Sequence, residues 1–68
     1  MTENGWKALE MMVREYKASG KTHFEPNLVK LNDADYAELA LGGVVDVRNN
    51  IIGTIVFDPE AAKRFLSD

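Results

Sequence analysis

The sequence predicts a small α+β domain in the order helix, strand, short helix, β-hairpin, helix, with a mostly antiparallel sheet of two to three strands. Three observations carry that prediction. An apolar stripe at helical spacing opens the chain, two β-branched runs flank Asn49-Asn50 as in a hairpin, and Asp58-Pro59-Glu60 marks a helix start directly afterwards. Strands and helices do not alternate strictly, which argues against a parallel βαβ arrangement. Residues 1–68 read as one domain, without internal repeats, linkers or low-complexity segments.

The clearest period lies in residues 3–19. Trp6, Leu9, Val13 and Tyr16 follow one helical stripe, and Ala8 and Met12 widen it. Thr2 or Asn4 can cap the start, Glu10 and Arg14 are spaced for an i,i+4 ion pair, and Gly20 supplies the left-handed residue that ends many helices. Met11 falls outside the stripe, among Lys7, Arg14 and Ala18.

In "KTHFEPNLVKL" the helical recurrence stops. Pro26 lacks an amide hydrogen, so the segment reads as an edge strand or as two extended pieces around a kink. A short helix from about Asp33 to Leu41 follows. Asn32 is its cap, Asp35 stands where a capping-box acid belongs, Leu31 and Tyr36 are spaced as a hydrophobic staple, and Gly42-Gly43 ends it.

"VVDVR" and "IIGTIVF" are rich in β-branched residues, and Asn49-Asn50 tolerates the positive φ angles of a two-residue turn. In that register Val45, Val47, Ile52, Thr54 and Val56 share one face, while Val44, Asp46, Arg48, Ile51, Gly53, Ile55 and Phe57 share the other. Both faces are apolar. The last helix opens with Asp58 as cap and Pro59 at the first helical position, and its Ala61, Phe65, Ala62 and Leu66 are expected to face the sheet.

Composition narrows the function classes. Hydrophobic residues make up 46% of the chain and charged residues 28%, the balance of a folded soluble domain. Cysteine is absent, which removes disulfides and thiolate metal sites. The apolar runs are far shorter than the roughly 20 residues needed to cross a bilayer, and the charged N-terminal segment is unlike a secretory signal. A cytoplasmic location without membrane association is therefore expected. The net charge of −3 is unevenly spread, with Glu25, Asp33, Asp35, Glu38 and Asp46 against Lys30 alone in the middle.

No catalytic, cofactor or metal site is predicted. His23 is the single histidine, and Glu25 two residues on is a thin basis for acid–base chemistry. Asp33 and Asp35 resemble the opening of a calcium loop, but its glycine and closing glutamate are absent. Gly42-Gly43 follows a helix instead of preceding one, so it is no phosphate loop.

A protein this small, with surplus apolar surface and no chemistry-bearing motif, is expected to be a non-enzymatic regulator, adaptor or inhibitor that binds another protein, of the kind also carried by phages and mobile elements. The doubly apolar ribbon further predicts a homodimer, with Met11, Ile51, Ile55 and Phe57 as candidate interface residues. The alternative is a dimeric DNA-binding regulator that uses Lys7, Arg14, Lys17 and Lys21 on the basic side of the first helix. "VRNNIIGTIVF" followed by "DPEAAKRF" resembles the latter half of the DNA-binding domain in Phd/YefM-type antitoxins. That resemblance implies DNA binding and an antitoxin-like role.

Overall fold

A computed structural model describes residues 1–46 and 54–67 of the chain. Helix α1 runs from Glu3 to Ser19 because both of its ends carry the right residues. The Thr2 hydroxyl accepts from the Gly5 amide, and Gly20 adopts the left-handed conformation (φ 74°) and returns its amide to the Tyr16 carbonyl. The buried face is Gly5, Ala8, Leu9 and Met12, rotated from the predicted stripe so that Trp6 and Tyr16 lie partly in solvent.

Strand β1 is only His23–Phe24. Pro26 does not kink a longer strand, as the sequence suggested, but starts a single helical turn, α2, over Pro26–Val29. A proline at the first helical position loses no hydrogen bond, so the residue that breaks a strand opens a helix instead. Lys30 closes the turn with positive φ, and its amide bonds the Pro26 carbonyl. The expected short helix is α3, Asp33–Leu41, capped by Asn32 Oδ1 on the Asp35 amide at 2.7 Å. Gly42 follows where an added Cβ would stand 2.8 Å from the Phe65 ring.

Strand β2, Ile55–Val56, pairs antiparallel with β1, placing Phe24 opposite Ile55 and His23 opposite Val56. On its other edge the chain at 44–46 runs alongside, with Val45 bridging Phe57. The Asp46 amide bonds the Val56 carbonyl at 2.9 Å, and the Asp58 amide bonds the Val44 carbonyl at 2.8 Å. The pairing of Val45 with Phe57 corrects the predicted register, in which Val45 would stand opposite Thr54 and share the face of Val56. An odd shift moves a residue to the opposite face; here it brings Val45 beside Phe57, in the core. The predicted turn at Asn49-Asn50, with Val47, Ile51 and Ile52, lies outside the described residues.

Helix α4, Pro59–Ser67, begins as expected, with Asp58 Oδ1 accepting from the amides of Glu60 and Ala61. Ala61 and Ala62 are buried, and their small side chains let α4 lie close to the sheet. The architecture is thus α+β: among the described residues, four helices around a two-stranded antiparallel ribbon. One core joins them, with Leu9, Met12, Phe24, Leu39, Val44 and Phe57 among its most buried side chains. Phe24 meets Phe57 edge-on at 6.1 Å. No described helix is long and apolar enough to cross a membrane.

Candidate functional site

Helices α1 and α4 leave a groove of about 550 Å³ between them. Its apolar surface comes from Val13 and Tyr16 on α1, Ala62 and Leu66 on α4, and Phe57 below them. Tyr16 is 37% exposed and Leu66 54% exposed, so both rims present apolar surface to solvent. The Tyr16 ring rests against Phe57 with centroids 6.2 Å apart; outside the groove lining, Trp6, 46% exposed, meets Phe65 at 5.9 Å. Tryptophan and tyrosine are enriched among binding hot spots.

Two lysines and one glutamate carry the charge of the groove walls. Lys17 on α1 and Lys63 on α4 line it together with Glu60, and the adjoining shallow hollow adds Arg14 and Glu10. Neither lysine has an ion-pair partner among the described residues. The local cause is helix periodicity: Val13 and Lys17 are one turn apart on α1, as are Pro59 and Lys63 on α4, so apolar and cationic side chains line one cleft.

Of the interface residues expected from the sequence, Phe57 lies beneath this groove but is itself buried, and Ile55 is buried in the core. The expectation that these two present an uncovered face is therefore corrected. The chain's own helices cover them, and Val44 and Val45, on successive and hence opposite sides of the backbone, are likewise buried. Met11 is half-buried on the other flank of α1, in a separate hollow with Leu28 and Val29. Ile51 lies outside the described residues. Leu66, expected to face the sheet, is instead on the groove rim, because the inward stripe of α4 centres on Ala61, Ala62 and Phe65. The sequence signal that could have found it is the narrowness of that stripe, which leaves Leu66 and Lys63 at its edge.

The basic residues of the first helix do not form a uniform positive face. Lys7 pairs with Glu3 at 3.5 Å, and Arg14 shares its hollow with Glu10 and Lys17 without the expected Glu10–Arg14 ion pair. Lys21 sits over the Phe24 ring at 5.2 Å from the centroid, where cation–π attraction holds it. His23 is exposed, and its Nδ1 shares a 3.0 Å hydrogen bond with the Thr22 hydroxyl.

The acids of α3 have structural partners. Asp35, only 3% exposed, sends its carboxylate across to Thr2, accepting from the Thr2 amide at 3.0 Å and from the Thr2 hydroxyl. Those two bonds, the hydroxyl first, hold its pKa below the ordinary aspartate value against the opposing effect of burial, with help from the Met1 ammonium and Asn32. Glu38 pairs with the Met1 ammonium at 3.3 Å. An added Cβ at Gly5 would stand 2.6 Å from Asp35 Oδ2, so glycine lets the ends of α1 and α3 meet. Asp35 was expected to serve only its own helix; its long-range partner was not legible locally.

Compared with protein-family models, with curated proteins and with solved structures, the chain matches none. The antitoxin resemblance gains no support from these comparisons, and its hairpin falls largely outside the described residues.

Proposed function

We propose that this protein is non-enzymatic and acts in the cytoplasm by binding another protein, as a regulator, adaptor or inhibitor, with the α1–α4 groove as its docking surface. The observation that supports this reading is the pair of partly exposed side chains, Tyr16 and Leu66, on the rims of a groove of about 550 Å³. Isolated exposed apolar residues are ordinary, but an aromatic–aliphatic cluster around a concavity is the usual form of a protein-binding patch. Self-association is the competing use of the same surface.

A photo-crosslinking residue at Leu66 tests the reading against the same residue at Leu28, on the opposite flank and 62% exposed. The expected result is a defined protein adduct from position 66 and none from position 28, with loss of the adduct on Tyr16→Asp in a protein whose circular dichroism is unchanged. Adducts from position 28 alone would place the surface elsewhere and overturn the assignment. Light scattering reports self-association: about twice the 7.6 kDa chain mass, reverting to one mass on Leu66→Asp, would make the partner a second copy.

A further inference from the structure

We infer that the partner segment is an amphipathic helix whose apolar stripe is flanked by carboxylates; this deepens the docking assignment above and rests on it. Two neighbouring helices that expose a shared apolar seam leave the position a third helix would take in a bundle, and helix-in-groove docking buries such seams. Val13 and Ala62, with Phe57 beneath them, provide an apolar floor, while Tyr16 and Leu66 stand as rims for the partner's large side chains.

The flanking charge follows from the lysines. Lys17 and Lys63 come from opposite helices, so they stand on opposite walls, and neither has an acidic partner among the described residues. An apolar segment seated between them would lie against both lysine stems, and anionic groups along both margins of the ligand would pair with the two ammonium groups. Glutamate or aspartate on either side of the stripe supplies those groups, whereas lysine or arginine there would add like-charge repulsion.

Other occupants fit less well. A nucleic-acid backbone would set a continuous run of phosphates against Glu60 in the groove and Glu10 beside it, whereas a helix can place its carboxylates at the two lysines and keep them away from those acids. A second copy would have to offer its own acidic exposed face, which lies on α3 as Asp33, Ala34, Ala37, Glu38 and Leu41. That face carries a single large apolar side chain, Leu41 at 91% exposure, and Glu38 is already engaged by the Met1 ammonium. One leucine and two alanines give too little apolar area for the groove.

The test uses two synthetic fluorescent peptides with the same amphipathic helical stripe, one flanked by glutamates and the other by lysines, titrated with the full chain by fluorescence anisotropy. The glutamate peptide is expected to bind at least about tenfold more tightly, with the preference shrinking as salt is raised. Lys17→Glu with Lys63→Glu, two substitutions at exposed positions, should reverse the preference, and Leu66→Asp should weaken both peptides. Equal binding of the two peptides, unaltered by charge reversal, would overturn the carboxylate requirement while leaving a groove that docks protein. Binding of neither at high micromolar concentration would overturn the helical occupant, and the docking assignment itself would then stand or fall on the crosslinking result. A groove-mediated dimer in light scattering would replace the acidic partner with a second copy.

Discussion

At its N-terminal end α1 meets α3 through Thr2, Gly5 and Asp35, with two hydrogen bonds onto one carboxylate and no room for a methyl group. Further along the same helix, Val13 and Tyr16 face α4 across a groove that is open to solvent. The first region spends its polar groups on each other and closes; the second leaves apolar side chains and two lysines without partners among the described residues. The contrast teaches that tight packing in this chain is local. Changes at the closed end should cost stability, and changes at the open end should cost binding alone.

The largest expected effect comes from Gly5→Ala. In an ordinary helix interior alanine is about 1 kcal/mol better than glycine. Here its Cβ would meet the pinned Asp35 carboxylate, and overpacking of this kind costs roughly 1–3 kcal/mol. Urea denaturation should therefore show a net loss. A gain in stability would mean that the junction yields easily and that the two regions do not differ as described.

Next is the acid limb of the stability curve. The pKa of Asp35 is lowered in the folded protein by Thr2, so the ionised form favours folding. That contribution is fully present above the unfolded aspartate pKa of about 4 and is lost as pH falls through the depressed folded value. Urea midpoints should drop as pH is lowered through this window, and Asp35→Asn should be less stable at neutral pH and show a flatter acid limb. An unchanged limb would remove Asp35 from the account of the junction.

Asp58→Ala tests the other helix that borders the groove. It removes the acceptor for the Glu60 and Ala61 amides and should cost about 1 kcal/mol. The smallest expected change in stability is that of Leu66→Gln, within about 0.5 kcal/mol because the side chain is already half in solvent. The same variant should lose peptide binding. A large destabilisation would show that Leu66 belongs to the core and that the groove is not a free surface.

Much of the local structure was legible from short stretches. Both ends of α1 and the starts of α3 and α4 follow from Thr2, Gly20, Asn32 and Asp58, because a cap is decided by groups within about a turn of it. The α+β class followed from the same local signals. The Pro26 turn was misread because proline at a first helical position and proline in an edge strand look alike without knowing where the next hydrogen bonds go.

By itself, then, the sequence determined the bounds of α1 and α3 and the start of α4, the apolar identity of Phe24, Ile55 and Phe57, and the absence of cysteine chemistry. Only the tertiary structure decided that Val45 stands opposite Phe57, that Asp35 serves Thr2 some 33 residues away, and that Leu66 borders a groove instead of facing the sheet. The reason is physical. Caps and periodicity are interactions between neighbours in the chain, whereas register and the choice of which helix flank stays open depend on how whole elements pack, and a shift of one residue or a small rotation of a helix exchanges buried for exposed side chains.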